Sequence, residues 1–317
     1  MTGTAWDTVG QARWRPIGGP RQSGPVTPRT YRRVCLVALW ALAAIVVTGA
    51  AVRLTGSGLG CSDWPACEND RLVAPMQFHA MVEFVNRLIT GIVSVSVIIA
   101  VAGSLVRRPR RSDLTRWSLG LVVGVVAQII IGGVVTLSDL TYSVVAIHFL
   151  VSMVLVWAAT VLLDRSGRPD DDPRRGQWPA WAKLIVALAV GVLLTGPLVT
   201  SAGPHAGDPD VKRLPLDLSW AARIHSAAVW AFVAAIAVTA FRLRGDNVQR
   251  RRVMDVLFAS IAQGAVGYLQ YFTGVPPLLV LLHVAGATVV WVMTVRLALG
   301  SAASPRPATE VAERVRA

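Results

Sequence analysis

Charged residues are scarce in this chain, at 15% of its 317 residues, whereas hydrophobic residues make up 54%. With a mean hydropathy of +0.54, that balance excludes an ordinary soluble domain. Acidic residues are scarcer than basic ones, because 18 Asp and Glu stand against 31 Lys and Arg and give a formal net charge of +13. In a soluble protein such an excess would indicate a nucleic-acid partner.

Cysteine is also nearly absent. The three cysteines are too few for a disulfide scaffold, and no spacing of cysteine with histidine matches a zinc site. Only Cys61 and Cys67 are close enough in the sequence to pair with each other.

What the chain does have is long apolar runs. A helix needs about 20 apolar residues to cross the hydrocarbon layer of a bilayer. Eight segments meet this requirement, namely 35–54, 84–106, 117–138, 143–163, 181–201, 219–241, 253–273 and 276–299. The sequence therefore predicts an all-α membrane protein with eight transmembrane helices.

The basic residues are distributed unevenly between the two ends of these spans. One face of the predicted membrane receives 25 of the 31, and the other receives only Arg53, Arg71, Arg87, Lys212, Arg213 and Arg223. Because cytoplasmic loops carry the excess of Lys and Arg, both termini are expected to be cytoplasmic. The same distribution explains the net charge without nucleic acid, so no nucleic-acid partner is expected.

Both ends of the chain are predicted to be disordered cytoplasmic tails, residues 1–33 and 301–317. The first is rich in Gly, Pro and Arg and has no apolar signal-peptide core. A mitochondrial transit peptide is the alternative, but Pro and Gly residues between Pro16 and Pro25 interrupt the amphipathic helix that it needs. A bacterial plasma membrane is therefore the favoured location.

An internal repeat divides the chain into two halves. The third and fourth spans align without a gap on the seventh and eighth, matching Ala127, Gln128, Gly132 and His148 with Ala262, Gln263, Gly267 and His283. The first and fifth spans match Thr48, Gly49, Val52, Gly56 and Gly60 with Thr195, Gly196, Val199, Gly203 and Gly207. These matches predict pseudo-symmetric four-helix bundles at 34–165 and 181–300, joined by a cytoplasmic linker at 166–180. A chance match of small residues is the alternative.

All five histidines lie toward the predicted outer face: His79, His148, His205, His225 and His283. Ionisable residues inside a bilayer are costly and usually face the bundle interior. His225 and His283 lie at equivalent depth on the sixth and eighth spans, as two imidazoles binding opposite sides of a haem iron require. For any one histidine, a hydrogen bond to a neighbouring helix is the alternative.

The second span begins with a polar stripe. His79, Glu83 and Asn86 are spaced i, i+4 and i+7 and share one helical face. Glu83 could orient an imidazole, accept a proton or bind a cation, or it could simply pair with Arg87 at i+4. Arg87 and Arg223 are candidates to neutralise haem propionates, with snorkelling at the interface as the alternative for both.

One loop makes the sequence recognisable. Segment 53–67 reads Arg-Leu-Thr-Gly-Ser-Gly-Leu-Gly-Cys-Ser-Asp-Trp-Pro-Ala-Cys, and it is followed by the Glu83, Asn86 and Arg87 stripe. Together with the helical histidines and the Ser-Ala-Gly-Pro-His-Ala-Gly-Asp loop at 201–208, it resembles the haem A synthase family over residues 35–299. The resemblance implies an eight-helix membrane oxidoreductase that oxidises the C8 methyl group of haem O to a formyl group by successive hydroxylation. The product, haem A, serves terminal cytochrome oxidases.

The resemblance also implies roles for residues. His225 and His283 would be the axial ligands of a haem b iron in the C-terminal half, and His148 would bind the iron of haem O in the N-terminal half. Glu83 would be the catalytic carboxylate beside the reacting methyl group. The loop cysteines Cys61 and Cys67 would form a disulfide bond, with transient thiol chemistry or two free thiols as alternatives.

One residue departs from the family pattern, which commonly has histidine three residues after the glutamate, where this chain has Asn86. Asparagine is a poor iron ligand. Either His148 alone holds the substrate iron, or His79 takes the vacant side.

Besides haem O, the resemblance implies an electron acceptor outside the chain. A complex with haem O synthase and a homo-oligomer are both compatible with the sequence. The alternative function is a di-haem b-type membrane electron-transfer protein, which would need two symmetric histidine pairs. A transporter is a third class, but its polar groups are expected near the membrane midplane.

Overall fold

The computed structural model describes residues 26–68, 71–169 and 177–302. In these residues the chain forms eight helices: α1 Pro28–Leu54, α2 Phe78–Val106, α3 Ser112–Leu137, α4 Tyr142–Ser166, α5 Ala180–Ala202, α6 Leu218–Arg242, α7 Asn247–Phe272 and α8 Pro277–Ser301. Each predicted span lies within the corresponding helix or extends beyond it by one residue, and several helices begin five to seven residues before their spans. Most of the predicted tails 1–33 and 301–317, and the centre of the predicted linker 166–180, lie outside the described residues.

Seven of the eight described helices are long and apolar enough to cross a membrane, which confirms an all-α membrane protein. The exception is α7, whose first turns carry Arg250, Arg251, Arg252 and Asp255 and so lower its average hydropathy. It nevertheless has 26 residues, the same length as α3, and it packs between α6 and α8.

Helix α1 begins seven residues before the predicted span. Thr27 caps it, because the Thr27 hydroxyl accepts a hydrogen bond from the backbone N–H of Thr30 at 3.2 Å. Pro28 follows at the first helical position, where its missing N–H costs nothing. Residues 28–33 are therefore helical, although the sequence predicted a tail there.

The helices form two four-helix bundles with the same order of contacts. In the first, each of α1 to α4 packs against the next and α4 returns to α1, and in the second α5 to α8 do the same. The backbones of α2 and α4 are not adjacent, nor are those of α6 and α8, so each of these pairs is diagonal within its bundle. The bounds 34–165 and 181–300 for the two halves stay a prediction.

The bundles meet through α1 and α4 on one side and α5 and α8 on the other. Trp291 of α8 is buried at this interface, and its indole N–H donates a hydrogen bond to the carbonyl oxygen of Met153 in α4 at 2.9 Å. The bundles therefore share one apolar core, because the packed cluster contains residues of both.

The loop after α1 and the loop after α5 also join the two bundles, at the end where the histidines lie. The backbone N–H of Gly58 donates to the carbonyl oxygen of Gly207 at 3.0 Å. Both residues lie against Leu140, and a Cβ atom at Gly58 would come within 2.8 Å of its side chain. Gly207 has a φ of 108°, which favours glycine. Close approach of the loops therefore depends on both glycines.

Replacing Trp291 with phenylalanine tests the interface between the bundles. We expect the thermal unfolding temperature in detergent to fall, because a buried hydrogen bond worth about 1 kcal/mol is lost. Trp40→Phe is the matched control, since Trp40 is 65% exposed on the outer surface of α1. Equal destabilisation by both substitutions would contradict this account of the interface.

Candidate functional site

His225 and His283 face each other inside the second bundle. Their ring centroids lie 6.4 Å apart and their planes are inclined at 73°. Two metal–nitrogen bonds of about 2 Å, with the ring radii added, separate two imidazole centroids by about 6 Å. The rings can rotate about their bonds to a metal, so this spacing fits one iron atom held between them.

Polar groups of the neighbouring helices hold both histidines. Oγ1 of Thr195 in α5 lies 3.0 Å from Nδ1 of His225. Nε2 of Gln263 in α7 donates to the backbone carbonyl oxygen of His283 at 2.6 Å. A hydrogen bond at one ring nitrogen fixes the orientation of an imidazole and leaves the other nitrogen for a metal.

Nδ1 of His283 is buried and has no hydrogen-bond partner among the described residues. A Cβ atom at Gly267 would lie 3.0 Å from Cε1 of His283, so the histidine ring lies directly against α7. An unpaired buried nitrogen is costly. One side of the His283 ring is therefore packed against α7, and its Nδ1 lacks a hydrogen bond. Both features are expected of a histidine that binds a ligand absent from the protein chain itself.

The first bundle repeats half of this arrangement. Nε2 of Gln128 in α3 donates to the backbone carbonyl oxygen of His148 in α4 at 2.9 Å, as Gln263 does for His283. Nδ1 of His148 is likewise buried and has no hydrogen-bond partner among the described residues. In the same bundle, Oγ1 of Thr48 in α1 donates to Oδ1 of Asn86 in α2 at 2.8 Å.

Glu83 and Arg87 lie together beneath the loop that follows α1. The buried Glu83 carboxylate accepts one hydrogen bond from the backbone N–H of Cys61 at 2.8 Å and another from Nη2 of Arg87 at 2.7 Å. Arg87 also donates to the carbonyl oxygens of Ala66 at 2.8 Å and Asp63 at 3.0 Å. The pairing at i+4 is therefore present, and it joins α2 to the loop.

Cys61 and Cys67 form a disulfide bond, as the resemblance implied, and both are buried. Trp64, between them, packs on Gly133 of α3, where a Cβ atom would come within 2.7 Å of the indole ring. At Gly60 a Cβ atom would lie 2.2 Å from the carbonyl oxygen of His79. The disulfide loop therefore rests directly on α2 and α3.

Three other candidate residues lie away from the paired rings. The exposed His79 places its Nδ1 3.0 Å from Oγ of Ser57. Nε2 of His205 lies 2.7 Å from the carbonyl oxygen of Val275 and so links two loops. Arg223 is exposed on the first turns of α6, with its guanidinium 5.1 Å from the centre of the Trp220 ring.

Sequence reasoning did not assign the supporting residues to the site, although each lies in a matched segment of the repeat. The signals were the Thr-Gly match between the first and fifth spans and the spacing of 20 residues from each glutamine to its histidine. The supporting residues are Thr48, Gln128, Thr195 and Gln263.

Within the described residues, no group of three or more His, Cys, Asp or Glu side chains could hold a bare metal ion. Two histidines suffice for haem iron, because the porphyrin supplies the remaining ligands. Two helical bundles with a facing histidine pair define a polytopic membrane protein of the kind that holds cofactors between its helices.

Comparison with known protein families agrees with this class of membrane protein. The model of the cytochrome oxidase assembly protein family COX15-CtaA matches residues 32–77 and 72–295, and the chain belongs to this family.

Similar proteins are named haem A synthase. That of Exiguobacterium sibiricum is 25% identical over 239 residues, which cover 70% of this chain and 79% of the relative. That of Geobacillus kaustophilus is 34% identical over 106 residues, or 33% of this chain and 32% of the relative. That of Shouchella clausii is 32% identical over 144 residues, covering 44% and 46%. The chain thus spans most of the first relative but less than half of the other two.

Glu83→Ala tests whether the carboxylate orders the disulfide loop. We expect hydrogen exchange of the Cys61 amide to rise about tenfold or more, because a hydrogen bond to a charged group contributes about 1.5–3 kcal/mol. The measurement is mass spectrometry of peptides that cover 61–67. Glu68→Ala is the control, since Glu68 is an exposed carboxylate beside the same loop. Unchanged exchange in Glu83→Ala would mean that other contacts order the loop.

Proposed function

We propose that the protein is a haem A synthase, which oxidises the C8 methyl group of haem O to a formyl group for terminal cytochrome oxidase. The observation that carries the proposal is the facing pair His225 and His283 in one bundle, beside an equivalent bundle with one histidine at the matched depth. Membership of the family and relatives named haem A synthase support it. The unequal bundles suit one resident cofactor and one haem substrate.

The C-terminal bundle, 181–300, holds haem b through His225 and His283. The 6.4 Å separation of the ring centroids and the hydrogen bond at His225 support these ligands. When bound, haem b supplies one-electron oxidation and reduction. The residues of this bundle hold the two histidines from neighbouring helices, since Thr195 contacts the His225 ring and Gln263 bonds the His283 backbone.

The N-terminal bundle, 34–165, binds haem O, with His148 as its iron ligand. The buried, unpaired Nδ1 of His148 and the match between Gln128 and Gln263 support this assignment. Glu83 is the catalytic carboxylate, which takes up a proton or stabilises positive charge at the reacting methyl group. It is the only acidic side chain that is buried within the described residues, on the same helix as Asn86.

Oxidation of a methyl group to a formyl group adds one oxygen atom. Two successive hydroxylations of the same carbon give a gem-diol, which loses water to leave the aldehyde. With water as the source of the oxygen atom, the conversion releases four protons and four electrons per methyl group, and the electrons pass from the first bundle to the second and then to an acceptor outside the chain. Direct packing of α4 against α8 and of α1 against α8 gives a short path between the bundles.

The two arginines suit different tasks. Arg87 is occupied by Glu83 and by carbonyl oxygens of the disulfide loop, so it positions that loop over the substrate bundle. Arg223 is exposed two residues before His225, which makes it the better candidate for a haem propionate. The excess of basic residues on the opposite side supports cytoplasmic termini and outward-facing haem sites, in the orientation that we propose for a bacterial plasma membrane.

Conversion of haem O by the purified protein tests the function directly. With an electron acceptor present, we expect mass spectrometry to detect hydroxylated and then formylated haem. Glu83→Ala should abolish formyl formation and retain the low-spin haem b spectrum, whereas the control Glu68→Ala should keep both. Unchanged haem O with wild-type protein would favour the di-haem electron-transfer alternative.

The ligands of haem b are tested by the optical spectrum. His225→Ala and His283→Ala should each remove the low-spin signal, because one imidazole cannot keep the iron six-coordinate. His205→Ala is the matched control, since the His205 ring contacts the carbonyl oxygen of Val275 in a loop. Retention of the signal in both ligand variants would refute the C-terminal site.

A further inference from the structure

The two bundles differ at one position of the site. In the second bundle Thr195 of α5 contacts Nδ1 of His225 in α6 at 3.0 Å. In the first bundle the matching threonine, Thr48 of α1, contacts Asn86 of α2 at 2.8 Å. Both contacts join the first two helices of a bundle, and the two threonines are paired by the repeat. Asn86 therefore occupies the place of His225.

The facing residue is also equivalent. His148 and His283 lie on the last helix of each bundle, and each is held by a glutamine 20 residues earlier. His225 and His283 face each other across the second bundle, and the repeat gives Asn86 and His148 the corresponding positions in the first. The first bundle thus presents one imidazole and, opposite it, one carboxamide.

The carboxamide of Asn86 is unsuited to bind iron. Its oxygen already accepts a hydrogen bond from Thr48, and its NH₂ group donates hydrogen bonds and has no lone pair to offer a metal. The Asn86 side chain is also shorter than that of histidine. The position opposite His148 is therefore lined by a hydrogen-bond donor.

His79 does not fill this position. It precedes Asn86 by seven residues, which places it about 10 Å nearer the start of α2. Its ring is exposed and its Nδ1 is held by Ser57. The remaining histidines are His205, which contacts a loop carbonyl, and the pair in the second bundle. No histidine of the chain is thus left to stand opposite His148.

We infer that the N-terminal bundle binds haem through His148 alone, an inference that rests on the proposed function. The opposite axial position is open to a small neutral molecule of the diatomic class, and the Asn86 amide can donate a hydrogen bond to it. The second bundle, closed by two imidazoles, excludes such a ligand. One chain therefore holds one ligand-accepting haem and one closed haem.

Carbon monoxide is the probe. The full-length purified protein is loaded with haem O to saturation and reduced, and its optical spectrum is followed as carbon monoxide is added. We expect two haems per chain, of which one binds carbon monoxide and one keeps its low-spin spectrum. Asn86→His should lower the carbon monoxide-binding fraction at least tenfold and add a second low-spin haem, because it restores the pair of imidazoles.

Two variants serve as controls for Asn86→His. Val85→His places a histidine on the neighbouring position of α2, where the Val85 side chain is 45% exposed, and should leave carbon monoxide binding unchanged. His79→Ala should also leave it unchanged. His148→Ala should remove the carbon monoxide-binding haem and keep the low-spin one, a readout that does not depend on whether Asn86→His folds.

The outcomes separate this inference from the proposed function. A second haem that is low-spin and inert to carbon monoxide in wild-type protein overturns the inference, as does carbon monoxide binding that rises in His79→Ala. A chain that binds only one haem also overturns it. Absence of any low-spin haem from wild-type protein instead counts against the proposed function.

Discussion

Polar side chains inside a helical bundle must find their hydrogen-bond partners on neighbouring helices, because lipid offers none. This constraint shapes the site. Thr195 contacts the ring of His225 and Gln263 bonds the backbone of His283, so both histidines are held by helices that do not themselves bear them. The diagonal placement of α6 and α8 then leaves the two ring centroids 6.4 Å apart.

The same constraint explains the buried charge at the start of α2. Glu83 is ionisable and buried, and its oxygens are satisfied by Arg87 and by the backbone of Cys61. The disulfide loop is consequently attached to the helix that bears Asn86, less than one turn from Glu83. A carboxylate that holds the loop and a carboxylate that serves the reaction are compatible roles, since both require it to be buried at this end of the bundle.

In the proposed function, the two similar bundles provide two corresponding haem sites, and small differences make these sites unequal. Four helices return the chain to its starting side, so the second bundle repeats the first in the same orientation. The glutamine and threonine supports occur in both bundles. In our proposal the exchange of one histidine for Asn86 separates a closed cofactor site from an open substrate site. Packing across Trp291 keeps the two within one core.

The helices were predictable from the sequence, because the membrane requires long apolar runs and such runs are visible without coordinates. Only the ends differed: the Thr27 cap starts α1 early, and the charged first turns of α7 lie outside its apolar run. The repeat and the pairing of Cys61 with Cys67 were also predictable, the first from matched residues and the second from the family resemblance.

The partners of each polar side chain required the folded structure. Spacing along one helix shows which residues share a face, as it did for Glu83 and Asn86, but not which neighbouring helix that face meets. Packing of eight helices settles that question, and it brought His225 to His283, Thr48 to Asn86, and Glu83 to the backbone of Cys61. His79, on the same stripe as Asn86, was placed instead at the surface beside Ser57.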